Sequence, residues 1–547
     1  MSQNNPSTNR PRLGLRRTGT LLTAGSAVIA GGAPLLATSP AAADDILTVT
    51  TLNDSGTGSL REAIGLANAD ADQDTIVFSV SGTIALLSDL PQFDLYGATI
   101  VGEGITIDGN GAYSVFDFND MQDRTEVHIS GITIVDGQNG YGGAIRVDSD
   151  QWVERIAEIS LTDVTLTGST STGNGGALYL YGADTISIVN SSVSGNTSGS
   201  DGGGAFIGQA GTISITGSEF SDNTASRGGG VYVNGFNSFY TEKLIVIGGS
   251  SFSINSSQYE GGGLFFDGGT GDVETVISAV MSESDVMENT SGSGGGGVFL
   301  SAGNPSSFTL NSSTISNNDS SGAGGGLYSM DAWENSIANS TITGNNAGLS
   351  GGAIFNAGGG ISITDSTIAA NTGGGSQDAG GVLLGGSAIG PLSIGTAVET
   401  PGQVAIFGSI IAGNSGLDIM NTDQGTPAVV ATRSLIGSLG ETLDFTAGTG
   451  TQIGVDPAAL LLGALADNGG PTPTHALGAG SIAIDAGGDG SDMPPFNGSE
   501  FDQRGAGYAR ISDGFLDVGA FEVQPVVPDS TTTTAAGSSP VVPVFTG

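Results

Sequence analysis

The sequence predicts an all-β protein, a right-handed parallel β-helix (solenoid) with a short N-terminal capping helix. Three observations carry that prediction. The 547 residues hold 95 glycines and are 37% apolar, 6% aromatic and 12% charged, which is too apolar for disorder. The glycines lack the three-residue period of collagen. Two unrelated motifs alternate along the chain at one common period, the signature of stacked repeats.

The first motif is a Gly-Gly pair followed by two apolar residues. It recurs nine times, with second glycines at Gly143, Gly176, Gly204, Gly230, Gly263, Gly297, Gly326, Gly352 and Gly381, spaced by 26 to 34 residues. Two places after each pair stands a bulky residue: Ile145, Leu178, Phe206, Tyr232, Phe265, Phe299, Tyr328, Ile354 and Leu383. One strand of each repeat is therefore expected to start at the glycines, with the bulky position in the core. The glycines themselves suit a corner that needs positive φ or close approach.

The second motif reads apolar, any, apolar, four residues, apolar, two residues, Asn. It fits Ile186-Ile188-Val193-Asn196, Ile213-Ile215-Phe220-Asn223, Ile245-Ile247-Phe252-Asn255, Phe308-Leu310-Ile315-Asn318, Ile361-Ile363-Ile368-Asn371 and Val404-Ile406-Ile411-Asn414. Ala279-Met281-Val286-Asn289 is a softer copy, and Asn335-Ile337-Ile342-Asn345 has lost its first apolar residue. Two earlier copies, from Val127 and Ile159, end in Gly137 and Ser169. Alternating apolar residues mark a strand with one face inward, and the five-residue step marks a bend. Asn is expected to close the third strand because it tolerates left-handed backbone, and stacking should align the amides into a ladder. Three strands and three bends in about 30 residues make one coil, and ~12–14 coils at roughly 4.8 Å make the rod. A sandwich lacks so uniform a repeat, and a propeller blade needs four strands.

Both ends differ from the repeats. Leu47 to Leu52 reads as strand, Asn53-Asp54-Ser55-Gly56 as turn, and Ser59-Leu60-Arg61-Glu62 as a capping box. Leu60, Ala63, Ile64 and Ala67 give the helix one apolar face. Near the other end stand Asp467-Asn468-Gly469-Gly470-Pro471-Thr472-Pro473-Thr474-His475, Ala483-Ile484-Asp485-Ala486-Gly487, Asp502-Gln503-Arg504-Gly505 and Asp517-Val518-Gly519-Ala520-Phe521-Glu522. Beyond them the chain becomes rich in Val, Pro, Thr and Ser, as an extended tail would be.

These motifs carry a resemblance. The glycine and asparagine stations, over about residues 125–415, resemble the repeats of polymorphic outer-membrane proteins and related bacterial β-helix surface proteins. No autotransporter barrel follows them. Gly58-Ser59-Leu60-Arg61-Glu62-Ala63-Ile64 resembles the CSLREA domain of bacterial surface proteins, with Gly58 in place of the family's cysteine. The C-terminal motifs resemble the choice-of-anchor Q domain. What the resemblance implies is a pectin lyase-like fold and surface attachment or secretion, rather than any one activity.

The expected organisation is a signal peptide over 1–43, an N-terminal cap and first coils over 44–124, and β-helix repeats over 125–415. Terminal coils with the choice-of-anchor Q-like domain follow over 416–523, then a disordered tail over 524–547. Arg10, Arg12, Arg16 and Arg17 form a basic start, Leu21 to Leu36 is mostly apolar and small, and Ala41-Ala42-Ala43 offers a cleavage site before Asp44. Export by the general secretory route fits better than the twin-arginine route, because Gly19 and Thr20 follow the Arg16-Arg17 pair. The expected location is secreted or cell surface, with no integral membrane span in the mature chain.

The formal charge is −41. Loss of the leader leaves 9 basic residues of the 13 against 54 acidic ones, a net of −45. Such a surface does not bind nucleic acid, which needs basic patches. The absence of cysteine removes disulfides, thiol nucleophiles and thiolate metal sites.

The sequence assigns no catalytic, cofactor-binding or metal residue. A lyase of this fold needs a base beside an acidic calcium cluster, whereas Lys243 is the one lysine and Arg124, Arg146, Arg155 and Arg227 fall at non-equivalent places. Ion pairing or plain surface exposure is expected for each. His128 and His475 read as structural. No cofactor is expected; Asp485, Asp489 and Asp492 crowd a glycine-rich loop that would suit calcium, without a full calcium-loop spacing. The function expected is a non-catalytic interaction or adhesion rod with an unknown extracellular partner, a glycan or a cell surface. The alternative is an extracellular polysaccharide lyase or glycoside hydrolase of the pectate-lyase-like type, which would need two carboxylates across a scissile bond.

Overall fold

The computed structural model describes residues 45–69, 72–93, 96–119, 121, 124–149, 155–235, 240, 242–269, 276–301, 306–330, 333–374, 378–385, 404–422, 428–441, 443–490 and 500–525. The expected leader, nearly all of the expected tail, and Asp492 lie outside them. No helix among the described residues is long and apolar enough to cross a membrane.

The chain winds into a parallel β-solenoid of about 12 turns. One coil shows how the sequence builds it. Val276–Ser282 and Asp285–Met287 run in the longest sheet on either side of a bend, Thr290–Ser291 follows in an 8-stranded sheet, and Val298–Ser301 in an 11-stranded one. Each pairs in parallel with its equivalent one coil on. Alternate residues point inward, so Ile186, Ile213, Ile245, Ala279, Phe308 and Ile361 stack in one column, all at most 2% exposed. Each large apolar side chain so buried contributes about 1.5–3 kcal/mol. Asn335, the odd member of that column, is accommodated by donating to Ser329 Oγ and Asn356 Oδ1.

The asparagines form the expected ladder. Asn196 Nδ2 donates to Asn223 Oδ1 at 3.0 Å, and the same bond repeats through Asn255, Asn289, Asn318, Asn345, Asn371 and Asn414. It ends where Asn414 donates to Asp418 Oδ1. The reason for Asn is not backbone conformation, contrary to expectation. The positive-φ residue is the one before it, as at Gly195, Asp222, Glu288, Asn317 and Gly344. The amide is selected because its oxygen also accepts the preceding asparagine's backbone N–H, as Asn289 does for Asn255.

A second ladder went unread. At the other bend of the long sheet, the backbone N–H of Ser191 donates to Ser218 Oγ, and the pattern continues through Ser250, Ser284, Ser313, Ser340, Ser366, Ser409 and Ser434. A serine five residues before each asparagine was the available signal.

The glycine corner corrects the register of the first motif. The first glycine of each group has positive φ, as at Gly142, Gly175, Gly202, Gly228 and Gly261. The next passes so near its neighbouring coil that a Cβ on Gly176 would sit 2.0 Å from Gly203 O. Three places after the positive-φ glycine is the inward column: Ile145, Leu178, Ala205, Val231, Leu264, Val298, Leu327 and Ile354. Phe206, Tyr232, Phe265, Phe299, Tyr328 and Leu383 instead align with Arg146, Tyr179 and Phe355 on the outward side. Counting from the second glycine had merged two columns, because some coils carry three glycines and others two with alanine, as at Ala144, Ala177 and Ala353.

The helix Leu60–Ala67 is present, with Ser59 accepting from Glu62 N and Glu62 Oε2 accepting from Gly58 N. Its buried Leu60, Ala63 and Ile64 join Val49 and Ile76 in the main core. Arg61 pairs with Asp54 at 2.6 Å.

The C-terminal segment does not sit at the end of the rod. It folds back along the outer face of the strands Thr314–Ser316, Thr341–Thr343 and Thr367–Ala369, whose residues are all buried. Gln503, wholly buried, donates to Thr314 Oγ1 and Ser313 O and accepts from Thr341 Oγ1. His475 hydrogen-bonds Thr343 Oγ1 at 2.9 Å, and Arg510 pairs with Asp365 at 3.3 Å. Ile410, Leu435, Leu460, Ala483 and Val518 form a small apolar core between this unit and the coils. The motifs quoted from the sequence thus supply Gln503 and His475, whereas Arg510 lies outside them.

Candidate functional site

Outside the tube the aromatics make a second column. Tyr179, Phe206, Tyr232, Phe265, Phe299 and Tyr328 stack at 4.8–5.4 Å between ring centroids. From Phe206 onward each is at most 8% exposed. They tuck beneath the chain entering the glycine corner: Ala323 packs in this cluster, and a Cβ on Gly294 would stand 3.2 Å from both Phe299 and Tyr328. They are core, as expected from their repetition, but a satellite core outside the tube. Tyr141, whose ring lies 5.1 Å from that of Tyr179, is well exposed.

Ionisable groups gather at the middle of this column, which makes it the candidate site. Arg227 lies over the rings of Tyr232 and Phe265, at 5.1 and 5.6 Å, and grips Asp201 with two nitrogens at 2.9 and 2.7 Å. Tyr232 Oη donates to Asp267 Oδ2 at 2.5 Å, and Gly269 N donates to Asp267 Oδ1. Lys243, 2% exposed, donates to the backbone oxygen of Asn234 at 2.7 Å. Ser293 Oγ donates to Glu260 Oε1.

Burial governs the electrostatics. It pushes the carboxyls of Asp267 and Glu260 above their ordinary values, against the hydrogen bonds from Tyr232 and Ser293. It pulls the Lys243 ammonium down to about 8, with the Asp267 charge opposing. It pulls on Arg227 too, but the Asp201 hydrogen bonds leave that guanidinium above its usual value.

The other arginines singled out from the sequence are in ion pairs. Arg146 pairs with Asp148 at 3.0 Å, and Arg155 and Arg124 both face Asp184, at 3.5 and 3.8 Å. His128 contacts Glu126 at 3.1 Å. The backbone N–H of Asp485 donates to Asp517 Oδ1, and burial followed by the Asp513 charge raises its carboxyl. Among the described residues no group of three or more His, Cys, Asp or Glu could hold a metal ion. The sequence named Lys243 and Arg227 but did not bring them to one face. Asp201, Glu260 and Asp267 carried no signal beyond their place beside the glycine corner or at the end of the strand that follows it.

No family model matches the chain, and no curated protein matches it. Among solved structures it is similar to one described as the crystal structure of pectate lyase Pel9A, at 15% identity over 88% of this chain and 97% of that one, with a TM-score of 0.36.

Proposed function

We propose that this chain is a secreted or cell-surface rod that acts by non-catalytic interaction or adhesion, with a glycan or another cell surface as partner. The observation that carries this reading is the state of the basic side chains. Elimination from a polysaccharide needs a base free to take a sugar proton, yet Arg124, Arg146, Arg155 and Arg227 face carboxylates and Lys243 is sealed against a carbonyl. The leader-like start, the CSLREA-like and choice-of-anchor Q-like motifs and the acidic surface support an exported location. The rod's outer rows of Ser and Thr, such as Thr170, Thr197 and Thr224, offer hydroxyls to such a partner.

A second reading, an extracellular lyase or hydrolase, is favoured by one observation, the raised Asp267 and Glu260 beside a lowered Lys243. Incubating the purified protein with a panel of polysaccharides separates the two. Retention without shortened products is the expected result; release of shortened products would replace the first reading with the second.

A further inference from the structure

Six Asn-Gly pairs occur in the sequence. Five lie among the described residues, Asn110-Gly111, Asn139-Gly140, Asn174-Gly175, Asn234-Gly235 and Asn468-Gly469, and the sixth, Asn497-Gly498, lies outside them. In such a pair the glycine nitrogen can attack the side-chain carbon of the asparagine, because no Cβ crowds the approach. Ring closure needs that nitrogen free of other acceptors and close to the amide. In four pairs it is not free. Gly111 N donates to Asp136 O, Gly175 N to Asp201 O, Gly235 N to Asp267 O and Gly469 N to Asp467 Oδ1.

Asn139 is different. Gly140 N donates to Oδ1 of Asn139 itself, at 2.6 Å, and Cγ lies one bond of about 1.2 Å beyond that oxygen. Once the N–H is deprotonated, the electron pair of the nitrogen lies where the hydrogen was, facing the amide. The side chain is held in this pose from its other end, with Nδ2 donating to Ser114 Oγ at 3.1 Å and to Asp117 Oδ2 at 3.5 Å. Gly140 is exposed, and a Cβ there would meet nothing within 4 Å, so water and hydroxide reach the pair. The strand Gln138–Asn139 is the end strand of its sheet and pairs with Thr170–Ser171. A change of backbone there unsettles one neighbouring strand of that sheet and not two.

We propose that Asn139 is a self-modification site, which the folded chain converts to aspartate and isoaspartate through a succinimide with Gly140. Hydroxide takes the proton of Gly140 N, and the nitrogen attacks Cγ of Asn139. The N–Cγ bond forms, the Cγ–Nδ2 bond breaks, and Nδ2 takes a proton from water and leaves as ammonia. A second water opens the ring. Cleavage of the N–Cγ bond gives aspartate, and cleavage at the backbone carbonyl of Asn139 gives isoaspartate. In sum one water is consumed and one ammonia released, and nothing is oxidised or reduced. Aspartate sets a second carboxylate beside Asp117, and isoaspartate adds a backbone atom just ahead of the exposed Tyr141.

Peptide mapping of the purified full chain, aged in mildly alkaline buffer, tests this without any substitution. The peptide holding Asn139 is expected to gain the mass difference between oxygen and NH. It should also split into two isomers, one of them a substrate for isoaspartyl methyltransferase. Its conversion should run at least about tenfold faster than at Asn110, Asn174, Asn234 and Asn468, whose glycine nitrogens react only after local opening. In denaturant that lead should vanish. An Asn139 peptide that stays intact, or that converts no faster than the other four, overturns the proposal. Conversion to aspartate alone overturns it too, since direct hydrolysis of the amide needs no ring. A lead that persists in denaturant would overturn the role of the fold. Gly140→Ala, whose methyl meets no neighbour, should keep the β circular dichroism signal and slow the conversion, and an unchanged rate would remove Gly140 N as the nucleophile.

Discussion

The coils between Ile156 and Ser301 and those between Ser306 and Phe407 share one winding and differ in what lies against it. On the strands that follow the serine bend, the early coils turn Ser192, Ser194, Glu219, Ser221 and Ser251 to the outside, all partly or fully exposed. The later coils put Thr314, Ser316, Thr341, Thr343, Thr367 and Ala369 at the same places, all buried under the C-terminal unit. Charge disappears from the row where cover begins, because a buried charge needs a partner. Asp285 marks the boundary. It is half-buried, one oxygen is sealed without a hydrogen bond, and its next register partner is the fully buried Thr314. The composition of the outward row, and not the repeat itself, tells which coils carry a second layer.

The largest effect that would break this contrast lies at the buried ion pair of the covered face. Arg510→Met leaves Asp365 sealed without its cation and should cost about 3–5 kcal/mol in denaturant unfolding. Adding Asp365→Asn, which keeps a residue tolerant of the positive φ found there, should recover most of that loss. If the single substitution is silent, the C-terminal unit is not seated on these coils.

The interior should not know which region it is in. Asn289→Ala, in an uncovered coil, and Asn345→Ala, in a covered one, each strand the N–H groups of the preceding asparagine. Each should cost about 2–3 kcal/mol and agree within about 0.5. A large difference in unfolding free energy would mean that the outer layer supports the ladder.

At the boundary the effect depends on pH. Burial raises the Asp285 carboxyl from 3.8 to about 7, so the fold keeps a proton that the unfolded chain releases. Stability from this group is complete below pH 3.8 and is lost as pH climbs through 7. Asp285→Ser should therefore raise stability at pH 7.5 by on the order of 1–2 kcal/mol, given its open side, and change little at pH 3.5. Thermal melts at the two pH values read this directly, and an equal gain at both would sink the explanation. On the open face, Ser221→Lys should stay within about 0.5 kcal/mol of the parent.

Much of this was legible in the sequence, for a physical reason. The solenoid repeats its needs in every coil, so Asn289 and Asn318 must both be asparagine and the pattern averages over copies. Register was misread where copies differ in glycine number, since Gly204 and Ala177 fill one structural position. The docking of Gln503, His475 and Arg510 was illegible because each bond is made once, between residues more than a hundred positions apart. The site around Arg227 and Asp267 stayed hidden because its residues do not repeat from coil to coil: Arg227 aligns with Asp201, and Asp267 with Asn234 and Ser301.

The chain has no cysteine, so single cysteines can report cover coil by coil. Placed at Ser194, Ser221, Ser253, Ser316 and Thr343 in turn, the first three should react with a water-soluble thiol reagent as fast as an unfolded control. The last two should be protected by at least about tenfold, which is ~1.4 kcal/mol of opening free energy. Equal reactivity at all five positions would contradict a C-terminal unit seated on one half of a continuous rod.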